Sequence, residues 1–121
     1  MTLPLKPGAV VHAADVSLDH APVSPGQTLK GAPTVGFVTL AETTGGGVGG
    51  VEIGVWECTP GMSTDTEVDE VFVVLSGRAR IDFVVPELPS IEVRAGDVVR
   101  LEAGMKTVWT VTETLRKVYM A

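Results

Sequence analysis

The sequence predicts an all-β fold, a double-sheet jelly roll behind an extended N-terminal arm. Three observations predict it. About eight short runs rich in β-branched residues recur at regular spacing, separated by Gly and Pro turns. Several of these runs alternate apolar and polar residues, the period of a half-buried pleated strand. No segment carries a helical period over three turns. The 121 residues suit one domain, and a hydrophobic content of 45% is enough for a packed core rather than a disordered chain.

Residues 1–33 are rich in Pro, Gly and small side chains, as in "PLKPG", "APVSPGQ" and "KGAP". Five prolines forbid a long helix there, so the segment reads as an arm with one short strand, lying across the domain or across a partner subunit. Residues 34–121 form the expected β domain. It opens with "TVGFVTL", followed by "GGGVGG", a flexible loop. That loop lacks the Lys-Ser or Lys-Thr pair and the following helix that a phosphate-binding loop needs. "VEIGVWEC" and "EVFVVL" are the next strands, divided by the turn at "TPG". In "RARIDFVV", Arg78, Arg80 and Asp82 face one way and Ala79, Ile81 and Phe83 the other. Pro86 and Pro89 break the chain before "IEVR", and turns at "AGD" and "EAGM" set off "VVRL" and "TVWTVT". "LRKVYM" closes the chain and reads as a protected edge strand or a subunit contact, because it carries Arg116 and Lys117.

Composition excludes several function classes. A net charge of -6 disfavours nucleic acid and anionic membrane surfaces, which need basic patches. No run approaches the roughly 18 apolar residues of a membrane span. The start shows no charged leader before a long apolar segment, so a cytoplasmic location is expected. Cys58 is the only cysteine and cannot form an internal disulfide, in keeping with a reducing compartment. His12 and His20 are the only histidines, so no three-histidine metal site forms within one chain.

At "EVFVVLSG" and "RAGDVVRLEAG" the chain resembles the cupins. Glu70 and Gly77 carry the Glu-to-Gly spacing that ends the first cupin motif, and Gly96 and Gly104 match the glycines of the second. Over residues 34–121 it is similar to the small cupins related to ureidoglycine aminohydrolase and to the ethanolamine-utilisation cupins. The resemblance implies a double-stranded β-helix, often paired as a homodimer. It also implies where a metal would sit, and those positions have changed. Cupins that bind metal place two histidines three or four residues before the motif Glu. Three intervening residues lead back from Glu70 to Thr66 and Thr64, and four lead to Asp65 and Ser63. Thr107 replaces the second-motif histidine. Hydroxyls are poor ligands for the transition metals that cupins carry, so neither metal nor cofactor is expected.

The acidic stretch "STDTEVDE" then divides. Glu70 opens a strand in which Glu70, Phe72 and Val74 share one face, and in the cupin frame that face lines the barrel. Asp65, Glu67 and Asp69 share a parity and are expected to face water, although Asp65, Glu67 and Glu70 together also suit a hard cation such as Ca²⁺ or Mg²⁺. The expected pocket comprises Thr64, Thr66, Glu70, Phe72, Thr107 and Trp109, with the threonines as hydroxyl donors to Glu70 and Trp109 as an aromatic wall. Trp56 and Trp109 are equally readable as core. Cys58 reads as a buried apolar residue rather than a nucleophile. The function expected is binding of a small polar metabolite without the usual metal. The alternative is a cupin enzyme, an aminohydrolase, lyase or isomerase, with Glu70 as acid or base. A third reading, an oligomerising protein with an exchanged arm, follows from the arm alone.

Overall fold

The computed structural model describes residues 3–43 and 50–121. The "GGGVGG" loop falls almost wholly outside them. Among the described residues there is no helix, so none is long and apolar enough to cross a membrane.

Nine strands form: β1 (Ala21–Pro22), β2 (Thr28–Lys30), β3 (Thr34–Thr43), β4 (Val51–Cys58), β5 (Gly61–Thr66), β6 (Glu70–Val85), β7 (Leu88–Arg94), β8 (Val98–Leu101) and β9 (Lys106–Met120). Two of them, β6 and β9, are long and pair antiparallel along most of their length, from Val71↔Met120 to Val85↔Lys106. Their register slips repeatedly between Val74 and Ala79. Such bulges bend a ladder. Gly77 sits at the bend with φ +91°, and a Cβ there would lie 2.0 Å from the Thr114 carbonyl oxygen. Only glycine fits.

The bend turns one ladder into two facing sheets. One sheet runs β1-β3-β4, then the C-terminal half of β9, the N-terminal half of β6, and β8. The other runs β2-β5, then the N-terminal half of β9, the C-terminal half of β6, and β7. This is the double-stranded β-helix. Inward residues of both sheets meet in one core, with Phe72, Val74, Leu101 and Leu115 from the first and Ala79, Ile81, Val93 and Val111 from the second. Ala79, Ile81 and the half-buried Phe83 do face inward, as their alternation indicated.

β9 is not an edge. It has β6 on one side and β4 and β5 on the other, so the reading of "LRKVYM" as a protected edge is corrected. The two charges diverge by strand alternation. Lys117 points into the cup and is buried, whereas Arg116 lies on the opposite face. There it donates to Glu57 at 2.8 Å and to the carbonyls of Ala13 and Val16 at 2.8 Å each. Those carbonyls belong to the arm, which carries two short strands rather than one and lies across its own barrel. Leu5 N–H bonds the Leu40 carbonyl, β1 pairs with β3, and β2 pairs with β5.

His20 adds a second pin. Its imidazole sits 2.8 Å from Glu57 Oε1 and 2.9 Å from Thr34 Oγ1. Burial opposes ionisation of Glu57, but the hydrogen bonds from Arg116 and His20 win and hold its carboxyl below the ordinary value. Because the His20–Glu57 pair is partly exposed, His20→Ala is expected to cost only about 0.5–1 kcal/mol, a fall in melting temperature of roughly 2–4 °C. A thermal melt at pH 6 checks this, and a fall beyond about 10 °C would show that the arm depends on His20 alone.

Candidate functional site

The cup opens between the arm, β3, β4 and β5, around a cavity of about 320 Å³. Each wall follows from strand register. On β4, Gly54, Trp56 and Cys58 lie opposite Tyr119, Lys117 and Leu115 of β9, so all six share the inner face. On β3, Val35 and Phe37 lie opposite Cys58 and Trp56 and continue that face, with Phe37 63% exposed at the mouth. On β5, Ser63 and Asp65 lie opposite Trp109 and Thr107. Val23 and Gln27 of the arm close the remaining side. Gln27 is fixed to β5, its carbonyl accepting from Thr64 N–H at 2.8 Å and its side chain donating to the Thr64 carbonyl at 3.3 Å.

Two polar constellations stand inside. In the first, the Lys117 ammonium donates to Glu70 Oε2 at 2.6 Å, with the side chains 6% and 13% exposed. The same ammonium lies 4.1 Å from the Phe72 ring centroid, 4.5 Å from Trp56 and 5.1 Å from Trp109. A buried cation is tolerated only when paired, and here the carboxylate and three ring faces share that task. In the second, Glu67 is 7% exposed. Its Oε1 accepts from Thr107 Oγ1 at 3.0 Å and from Trp109 Nε1 at 3.2 Å. Burial and the nearby Asp65 carboxylate push the Glu67 carboxyl up to about 7, against the two donors that favour its anion.

Two weaker features complete the wall. Tyr119 donates to Glu52 at 2.6 Å, and burial together with that carboxylate raises its phenol to about 12. A Cβ on Gly54 would lie 2.5 Å from that ring, so glycine at this position is what admits Tyr119. Burial pushes the Cys58 thiol up to about 11 despite Lys117, which suits a buried apolar role rather than a nucleophile.

The residues expected at the site separate in the structure. Thr64, Glu70 and Trp109 line the cavity. Phe72 and Thr107 are fully buried behind it, Phe72 under Lys117 and Thr107 under Glu67. Thr66 is exposed and borders a separate outer groove with Lys106. None of the three threonines serves Glu70 as a donor. Its partner is Lys117, which the sequence placed at an edge. Asp69 is exposed as expected, its carboxylate accepting from Ala103 N–H at 2.9 Å. Asp65 is likewise exposed, though it borders the cavity. Glu67 overturns the expectation that it faces water. Of the three carboxylates of that parity, only Glu67 is buried, drawn in by Thr107 and Trp109. Ser63, Asp65 and Glu67 follow the inward face of β5, while Thr66 alternates away from it and Thr64 borders both the cavity and the outer groove. The spacing with four residues before Glu70 is therefore the one that faces the cup.

This arrangement fits a cupin metal poorly. The four inward positions hold Ser63, Asp65, Glu70 and Thr107, with no imidazole among them. Glu70 already takes its positive charge from Lys117, and Thr107 is engaged with Glu67. Among the described residues, no group of three His, Cys, Asp or Glu side chains is placed to hold an ion.

Comparison with known proteins agrees with the geometry. Residues 45–119 match the model of the EutQ-like cupin domain. Among solved structures, a protein of unknown function from Pseudomonas syringae pv. tomato is 26% identical, with a TM-score of 0.71. The match covers 88% of this chain but only 44% of that one, so this chain spans less than half of its length. The EutQ protein of Clostridium difficile is 16% identical with a TM-score of 0.64, covering 92% of this chain and 83% of its own. A protein of unknown function from Acidithiobacillus ferrooxidans is 21% identical with a TM-score of 0.59, covering 93% of this chain and 100% of its own. No curated protein matches the chain.

Proposed function

This chain belongs to the EutQ-like cupin family, and we propose that its cup binds a small polar metabolite without a transition metal. The observation that carries this reading is the composition of the cavity. Apolar and aromatic walls from Val35, Phe37, Trp56 and Trp109 surround a few fixed polar groups. That is the usual make-up of a small-molecule site. The polar groups are held before any ligand arrives, Glu70 by Lys117 and Glu67 by Thr107 and Trp109. Preorganisation of this kind lowers the cost of binding.

The metal-free part of the proposal has a direct test. Protein purified without added ions is expected to contain well under one equivalent of Fe, Mn, Ni, Cu or Zn per chain by elemental analysis. Excess chelator is expected to move its melting temperature by less than about 2 °C, because no metal contributes to folding. One tightly held transition metal per chain overturns it.

A second reading, an enzyme that moves a proton, is favoured by a specific observation. A carboxyl pushed up to about 7 is poised to give and take a proton near neutral pH. The candidate acid or base then moves from Glu70, which is engaged by Lys117, to Glu67. The homodimer remains part of the proposal. Mass in solution by sedimentation tests it, and a monomer at all concentrations overturns it.

A further inference from the structure

The charges that line the cavity do not balance. Among the described residues, its charged groups are Asp65, Glu67, Glu70 and Lys117. Lys117 is consumed by Glu70 at 2.6 Å. Asp65 and Glu67 are left beside each other, two residues apart with their carboxyls in contact, and neither forms an ion pair with a cation of the protein. Glu67 is more than nine-tenths buried, its donors Thr107 and Trp109 both meet Oε1, and its carboxyl borders the cavity beside that of Asp65. Lys106 of β9 lies opposite Thr66 and borders the outer groove rather than the cavity.

We propose that the cup takes an organic cation, a small molecule with a protonated amine or amidine on an apolar body, whose charged nitrogen is seated between Asp65 and Glu67. This rests on the reading of the cavity as a small-molecule site and names the class of ligand. The nitrogen donates to the carboxylates of Glu67 and Asp65 in place of the contact between them, and its arrival relieves the repulsion between the two. The apolar body lies against Trp56, Trp109 and Phe37. The Lys117 ammonium already held over three rings shows that this wall receives cationic nitrogen. It also fixes the orientation, since a second cation seated there would meet Lys117 and be repelled. An inorganic cation is the poorer fit, because hard ions seek six or more oxygens and gain nothing from an aromatic wall.

The test uses three probes of one size, benzylamine, benzyl alcohol and benzoate, titrated calorimetrically into the intact protein at pH 8, where benzylamine is protonated. Benzylamine is expected to bind at least about tenfold more tightly than benzyl alcohol, as a charge-assisted hydrogen bond implies, with benzoate weakest. In Glu67→Gln and in Asp65→Asn that preference is expected to shrink to within about threefold, while the affinity for benzyl alcohol stays within about twofold. Lys106→Met is expected to leave it unchanged. Benzyl alcohol or benzoate binding as well as benzylamine overturns the cation assignment and leaves the small-molecule site standing. Binding by none of the three overturns both. Ca²⁺ or Mg²⁺ that displaces benzylamine and loses its effect in Glu67→Gln assigns the seat to an inorganic ion and overturns the proposal.

Discussion

Glu70→Leu is expected to destabilise the protein by about 3–5 kcal/mol, because it leaves the Lys117 ammonium uncompensated inside the cup. For a chain of this length that is a fall in melting temperature on the order of 12–20 °C. The loss is not the worth of the ion pair. Two charges taken out of water gain little net energy from each other, whereas one charge left alone there is costly. The double variant Glu70→Leu/Lys117→Met removes both charges and places an apolar chain under Phe72, Trp56 and Trp109. It is expected to recover most of the lost stability. Thermal and urea denaturation of wild type, both single variants and the double variant close the cycle. Additive losses, or a Glu70→Leu protein within about 1 kcal/mol of wild type, would show that the three rings alone satisfy Lys117.

Glu67 gives the second large effect, and its sign is opposite to that of an ordinary paired carboxylate. Its carboxyl is raised in the folded state from 4.5 to about 7. Between those values the folded protein holds a proton that the unfolded chain has lost. By linkage, stability is greatest below about pH 4.5 with respect to this group, falls as pH rises towards 7, and is level above. The full span corresponds to at most about 3 kcal/mol, and solvent reaching the open cavity screens it to roughly 2. Glu67→Gln keeps an oxygen for Thr107 and Trp109 and cannot ionise. It is expected to raise the melting temperature at pH 8 by several degrees, to leave it nearly unchanged at pH 5, and to flatten the profile between. Glu57 and Asp82, whose carboxyls are held below their ordinary values, titrate under this window and do not blur it. A wild-type melting temperature that rises steadily from pH 5 to pH 8 would contradict a protonated Glu67. Glu67→Gln melting below wild type at pH 8 would mean that the anion, not the acid, is what the cup stabilises.

Much of the architecture was legible before any coordinates. The two-residue period of Arg78 to Phe83 assigned inward and outward faces correctly, because a pleated strand has no other way to bury half its side chains. Alternation put Phe72 and Val74 on the face of Glu70, and the cupin resemblance turned that face to the cup. The sequence reads a turn at Ser76-Gly77 between two strands, whereas the structure carries β6 through it as one bent strand, because β9 continues to pair on both sides of the bend. The site was legible only in part. Glu70 and Trp109 do border the cavity, Thr107 lies behind it with Glu67 rather than Glu70 as its partner, and Glu67 and Lys117 border it without having been expected there. A sign was available for Glu67. Strand alternation from Ser63 continues through Asp65 to Glu67, but alternation alone does not say which of the two faces is the inner one.

That choice is what tertiary structure supplied. The sequence by itself determined an all-β chain, the alternation within its apolar runs and the turn glycines, since each depends on neighbours a few residues apart. It did not join the runs into the long β6 and β9, nor find β5 or the start of β7 at Leu88, because those bounds are set by pairing with distant strands. Which face of β5 meets Trp109, and which strand lies beside β9, depends on pairings separated by about 40–60 residues. Lys117 looked like an edge charge until β4 and β6 closed around it and Trp56, Phe72 and Glu70 came within reach. Periodicity fixes the alternation of a strand, and only long-range register decides what each face touches.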